Sequence, residues 1–162
     1  MKLKRAALLA EIIGGLGIII SILYLAFEVS NSADSQTVAN HFVLTGRLHE
    51  LNGSILANNE LADLIAMSRL DISSLTPGEV EQVRAYTGNL LQIWEDAYST
   101  YALGDLADEY WIIWNRALCN MASEPGFAAI WKGGLHDIYG NALVQVVNEC
   151  FARSNLPIVT DR

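Results

Sequence analysis

Three histidines could do chemistry in this chain, and their spacing limits what that chemistry could be. His41 and His49 lie eight residues apart, close enough to share one face of a helix, whereas His136 is distant in sequence. A metal site would need a third ligand at a matching spacing, and Glu50 points away from His49. The Glu-x-x-His pair of di-iron bundles is missing. The sequence therefore predicts no metal site.

Acidic and hydroxyl side chains also lack the arrangement that catalysis requires. Glu95 and Asp96 could form an acid pair, but consecutive residues of a helix diverge by about 100°. We expect Glu95 to pair with a cation or to cap a neighbouring helix, and Asp96 to be solvated. Ser99 and Thr100 have no histidine nearby in sequence, and no G-x-S-x-G motif is present. We expect no enzyme activity and no cofactor.

Two cysteines, Cys119 and Cys150, are too few for a disulfide scaffold or a four-thiolate zinc site. Both fall in segments that we expect to be long helices. In an oxidising compartment they could form a disulfide. Buried free thiols are the alternative, and the sequence leaves both open.

Aromatic residues gather around Gly104, at the junction of two predicted helices. The cluster consists of Trp94, Tyr98, Tyr101, Trp111 and Trp114. Such side chains could line a pocket for a hydrophobic ligand, since Trp and Tyr combine a large apolar area with a polar tip. The helical spacing is more typical of a hairpin core, which is the interpretation that we favour.

The elements that carry these residues follow from composition and from one long apolar run. Apolar residues make up 52% of the 162 residues and charged residues 17%, which indicates that part of the chain avoids water. Ala6 to Phe27 would span about 33 Å as a helix, enough to cross a hydrocarbon core of about 30 Å. A cleavable signal peptide is the alternative, but the run is longer than the usual apolar region and no A-x-A site follows. We predict a retained transmembrane helix over 6–27.

Flanking cations give the orientation of the predicted span. Lys2, Lys4 and Arg5 precede it, and no Lys or Arg occurs between Glu28 and Gly46. The positive-inside rule then places residues 1–5 in the cytoplasm and the remainder outside. For a bacterium, this predicts a single-pass inner-membrane protein with a periplasmic C-terminal domain.

Small residues recur along the predicted span with steps of three and four. They are Ala7, Ala10, Gly14, Gly17 and Ser21, and they lie on one stripe of the helix that Tyr24 and Glu28 continue. We call the five small residues together with Tyr24 the small-residue seam. Small side chains let a second helix approach closely within a bilayer. The alternative is that Gly and Ala are simply frequent in membrane helices. The segregation of small from bulky residues favours a packing seam that contacts other membrane subunits or a second copy.

Residues 28–154 are predicted to form one acidic helical domain, followed by a flexible tail over 155–162. Seven Lys and Arg stand against seventeen Asp and Glu from residue 28 onward, a net charge of −10 that disfavours nucleic acid as a partner. We predict helices over 36–57, 60–69, 77–103, 105–122, 127–132 and 136–154. The clearest start is Thr76-Pro77-Gly78-Glu79, a capping box. The predicted fold is all-α, a single N-terminal transmembrane helix followed by a small helical bundle.

Three segments carry a resemblance to a known group of proteins. They are Glu11-Ile12-Ile13-Gly14 with the apolar run, Leu91-x-x-Trp94-Glu95-Asp96-Ala97-Tyr98-x-x-Tyr101-x-x-Gly104 with Trp111-x-x-Trp114, and Pro125-Gly126-Phe127. Together they resemble small uncharacterised bacterial membrane proteins with one N-terminal span and a helical domain. The segment after the span departs from that group, which is often rich in Gln, Arg and Asn there. The resemblance implies no catalytic residues.

Two classes of function fit these predictions. The first is a non-catalytic accessory subunit of a larger inner-membrane complex, respiratory, photosynthetic or transport, which packs through its transmembrane helix. The second is a membrane-anchored binding or sensor module that holds a small hydrophobic ligand in the aromatic pocket. Stoichiometric partners in a native purification would distinguish a subunit from a sensor.

Overall fold

The computed structural model describes residues 2–154, with side chains for residue 11 and for 13–154. In these residues it contains six α-helices, two short 3₁₀ helices and no strand, which confirms the all-α fold class. The α-helices are α1 (Lys2–Leu56), α2 (Asn59–Leu70), α3 (Pro77–Ala102), α4 (Asp108–Ala122), α5 (Pro125–Lys132) and α6 (Asn141–Arg153). The chain divides into two compact units, Met1–Val38 and Ala39–Arg162.

Helix α1 is longer than the sequence indicated. We expected a connection between the apolar run and a helix beginning near residue 36, but residues 28–35 are helical as well. The stretch between Gly17 and Gly46 contains neither Gly nor Pro, so nothing interrupts the backbone hydrogen bonds. The Ser35 and Thr37 hydroxyls donate to carbonyl groups four residues earlier, which satisfies these polar groups within the helix. Gly46 and Gly53 do not break it either.

Helix α3 begins and ends as its sequence predicted. The Thr76 hydroxyl accepts from the Glu79 N–H, and the Glu79 carboxylate accepts from the Thr76 N–H at 2.7 Å, which lowers the pKa of Glu79. At the other end Gly104 has φ 82°, a left-handed conformation that favours glycine. The Asp105 N–H reaches the Thr100 carbonyl at 3.0 Å, so the helix closes with a Schellman motif.

The predicted last helix, residues 136–154, is wrong in its first turns. Gly134 has φ 100°, and a 3₁₀ helix follows over Leu135–Ile138. Tyr139 and Gly140 are then extended, so that α6 begins only at Asn141. The physical reason is tertiary: Tyr139 is buried, and its hydroxyl donates to the Gly88 carbonyl of α3 at 2.7 Å. This contact stabilises the extended conformation of Tyr139 relative to a continuous helix.

The core of the second unit lies among α2 to α6, with one side of α1 added. Helix α4 packs against α3 and α6, and α2 packs against α3 and α5. The largest fully buried side chains include Trp131, Phe151, Leu91 and Leu118. Helices α2 and α5 approach so closely that a Cβ at Gly126 would overlap the Ser68 carbonyl group, its carbon only 2.6 Å away. Glycine is therefore required at this crossing.

Candidate functional site

The apolar part of α1 is exposed along its described length. Bulky side chains such as Ile13, Leu16, Ile19 and Leu23 are more than half accessible, far above the exposure of core residues in the second unit. An 18-residue window within Ile13–Leu56 reaches a mean hydropathy of 2.0, and none of it is buried. Among the described residues, this is the one helix long and apolar enough to cross a membrane. The orientation of that helix stays a prediction.

The described residues of the small-residue seam contact no other part of the described chain. A Cβ built on Gly14 or on Gly17 would meet no atom within 4 Å. The Ser21 hydroxyl donates to the Gly17 carbonyl at 2.8 Å, so this polar side chain needs no partner outside the helix. Tyr24 is exposed. The side chains of Ala7 and Ala10 lie outside the described residues, as do Met1 of the predicted cap and the tail from 155 to 162.

The aromatic cluster comes together, and its three tryptophans are buried in the core. Trp94 and Trp114 meet edge to face with ring centroids 5.6 Å apart, and the Trp94 indole N–H donates to the Trp114 carbonyl at 2.9 Å. Trp111 packs against the rings of Tyr98 and Tyr101, at 5.4 and 5.2 Å. The rings thus contact one another across the α3–α4 hairpin. The ligand pocket at this cluster stays a prediction.

Tyr101 lies at the exposed edge of this cluster. Its pKa is raised chiefly by the negative charge of Asp108, which lies near its hydroxyl. The neutral phenol is therefore the form present at physiological pH. Its hydroxyl donates a hydrogen bond to the Asp108 carboxylate.

Cys119 and Cys150 form a disulfide between α4 and α6, with their Cα atoms 4.8 Å apart. The sequence had left this pairing open against free thiols. Cys150 is fully buried and Cys119 is half-buried, so the bond crosses the packed face between the two helices. In the described residues no cysteine remains free. Disulfides are typical of proteins in oxidising compartments.

The structure does not bring the histidines together. His41 is half-buried and stacks on the Tyr110 ring at 3.9 Å, while His49 is exposed. His136 shares a hydrogen bond of 2.8 Å with the Trp131 carbonyl. Within residues 11 and 13–154, no group of three or more His, Cys, Asp or Glu side chains is arranged to hold a metal ion.

Glu95 and Asp96 bind different parts of the fold. Glu95 accepts a hydrogen bond of 2.8 Å from the Gly140 N–H at the start of α6, which agrees with the expected capping role. Asp96 forms an ion pair with Arg47 of α1, so the expectation that it is merely solvated is wrong. Gln92 donates to both carboxylates, at 3.3 Å each. The acid pair therefore ties α1 and α6 to α3, a role for which the sequence alone gives no partner.

A groove between α1 and α3 is a feature that the sequence did not indicate. It comprises two adjoining cavities of about 430 and 610 Å³, both lined by Leu51, Ser54 and Asn89. We call it the α1–α3 groove. The one available signal was the row of polar residues at helical spacing on α3, which sequence reasoning assigns to an ordinary solvated face.

No protein-family model, no curated protein and no solved structure matches this chain.

Proposed function

We propose that this protein is a non-catalytic accessory subunit of a larger inner-membrane complex, anchored by α1. The complex would be respiratory, photosynthetic or transport in type. In this proposal the first residues lie in the cytoplasm, α1 crosses the bilayer, and the acidic helical domain lies in the periplasm. The partners are other membrane-protein subunits or a second copy, together with the lipid bilayer.

The observation that carries the proposal is the exposed apolar surface of α1. Exposure of such a contiguous apolar surface to water is unfavourable in free energy. Contact with lipid or with another apolar helix removes the surface from water. Bulky residues on most sides of the helix suit lipid. Gly14 and Gly17 leave room for a second backbone to approach, which is how transmembrane helices associate.

Two further features support placement of the domain outside the cytoplasm. The Cys119–Cys150 disulfide favours an oxidising compartment such as the bacterial periplasm. The cations at Lys2, Lys4 and Arg5 precede the apolar run, in agreement with the positive-inside rule. These are independent arguments, since one rests on redox chemistry and the other on charge.

The seam is tested by adding bulk at its glycines. Gly14→Ile and Gly17→Ile keep α1 apolar but hold a partner helix away, so we expect both to abolish association in a membrane two-hybrid assay. Leu16→Ile and Ile19→Leu are matched controls, because they alter little volume on the opposite stripe. Equal association by all four variants would show that the stripe reflects membrane composition, and the packing proposal would fail.

Orientation and the alternative function need separate measurements. A C-terminal reporter that is active only after export should be active. Activity of a C-terminal reporter that works only in the cytoplasm would overturn the orientation.

Native purification with mass spectrometry distinguishes the two classes of function. A subunit brings stoichiometric partners, whereas a sensor with a ligand in the aromatic cluster brings a small molecule and no fixed partner.

A further inference from the structure

The α1–α3 groove is long, open and bounded at both ends by charged residues. Arg47 and Asp96 form the ion pair near one end, and Glu60 lies near the other. Between them the Tyr86 hydroxyl donates to Asn52 at 3.3 Å, so α1 and α3 run antiparallel along the groove. Gln82 to Asp96 is fourteen helical steps, or about 21 Å. An extended peptide of about six residues has this length.

The walls of the groove offer hydrogen bonds that nothing in the described chain uses. Gln82 and Asn89 are exposed on one face of α3, and within the described residues neither side chain has a hydrogen-bonding partner. Each amide carries both a donor and an acceptor, which is the complement of a peptide unit. The two amides are seven residues apart, about 10.5 Å along the helix, which matches about three residues of an extended chain.

The free amides of the groove favour an extended occupant over a helix. Leu51 and the buried Ile93 line the groove beside the exposed Gln82 and Asn89. A helical partner satisfies its own backbone groups and would leave these amides unused. An extended peptide presents free N–H and C=O groups to the amides and alternate side chains to Leu51 and Ile93.

The charge of the groove indicates which side chains its occupant should carry. Glu50 and Glu60 line the groove, and in the described part of the chain neither has an ion-pair partner, whereas Asp96 is neutralised by Arg47. The groove therefore carries two uncompensated carboxylates within a domain that is acidic throughout. A peptide with Lys or Arg residues would be attracted to it and correctly oriented by these charges.

We propose that the α1–α3 groove binds an extended, basic peptide segment of a partner protein. This deepens the proposed function, on which it rests for the existence of a partner, by assigning a docking surface on the helical domain. The groove and the small-residue seam are separate surfaces. Gly14→Ile should therefore leave peptide binding unchanged, so failure of one proposal is distinguishable from failure of the other.

The test uses the full chain in phosphatidylcholine nanodiscs and measures fluorescence anisotropy of a labelled octapeptide of alternating lysine and serine. We expect binding of this peptide and none of the glutamate–serine octapeptide. The double variant Gln82→Ala/Asn89→Ala keeps the charge, and it should bind at least fivefold more weakly. The double variant Glu50→Gln/Glu60→Gln should lose at least as much affinity for the peptide. The control Gln145→Ala, at an exposed position on α6, should bind the peptide with an affinity within twofold of that of the parent protein.

Three results would overturn the inference. The first is absence of binding by the lysine–serine peptide. The second is equal binding by the Gln82→Ala/Asn89→Ala variant, which would mean non-specific attraction to the acidic domain. The third is displacement of the peptide by tetra-N-acetylglucosamine, which would assign the amide walls to a glycan. Tryptophan fluorescence checks that each variant is folded, since the groove substitutions are at exposed positions.

Discussion

Removal of the Cys119–Cys150 bond should destabilise the helical domain strongly while leaving the apolar part of α1, which belongs to the first unit, unaffected. The bond joins residues 31 apart in sequence, and both lie on helices of the second unit. Without the bond, the unfolded chain regains the conformational freedom of that loop. The chain-entropy relation gives a loss of about 4 kcal/mol at 25 °C for a loop of this size.

Urea unfolding followed by tryptophan fluorescence measures this loss. All four tryptophans fall between residues 94 and 131, within the helical domain, so the signal reports on that domain alone. For a domain of this size, about 4 kcal/mol lowers the urea midpoint by about 2 M. The Cys119→Ala/Cys150→Ala variant and the parent protein held in reductant should show the same lowered urea midpoint. The reduced parent is the matched control, because it loses the cross-link but keeps both sulfur atoms.

Either of two results would contradict the expected role of the Cys119–Cys150 bond. Alkylation of the purified protein without reductant could label two thiols, in which case the bond does not form and the redox argument for an exported domain falls. Alternatively, the double variant and the reduced parent could unfold at the parent midpoint. The cross-link would then make no contribution to the stability of the domain.

Three more predictions follow from the packing. Gly126→Ala should destabilise the domain by about 3 kcal/mol in the same urea titration, because the new methyl group would overlap the Ser68 carbonyl. The control is Gly53→Ala, whose new methyl group would meet no atom within 4 Å. This variant should be neutral or stabilising by up to about 1 kcal/mol. Trp111→Ala should cost about 3–5 kcal/mol as a core deletion, and a variant that unfolds like the parent while losing a bound small molecule would instead favour the ligand pocket. Burial, with a contribution from the negative charge of Glu95, raises the pKa of Tyr139 to about 12. In the unfolded chain a tyrosine ionises near pH 10. The free energy of unfolding should therefore be constant below pH 10 and fall as the pH rises toward 12. Tyr139→Phe should flatten this fall, and an unchanged slope would contradict the assignment.

Local signals in the sequence were sufficient for several elements. The capping box at Thr76 and Glu79 and the stop at Gly104 define α3, because both depend on residues within one or two turns. The apolar run of α1 is likewise visible in the chain, since hydropathy is a property of consecutive residues. The helical spacing of the aromatic residues predicted the hairpin core in which Trp94, Trp111 and Trp114 are buried.

Other features depend on residues far apart in sequence, and the tertiary structure alone decided them. The break before α6 exists because Tyr139 reaches the Gly88 carbonyl 51 positions earlier. Asp96 is paired because α1 brings Arg47 beside α3, and the groove is lined by side chains that these two helices contribute from distant parts of the sequence. The pairing of Cys119 with Cys150 required the packing of α4 on α6. Composition and periodicity determine which segments are helical and apolar, whereas the distances between segments arise only when the whole core is packed.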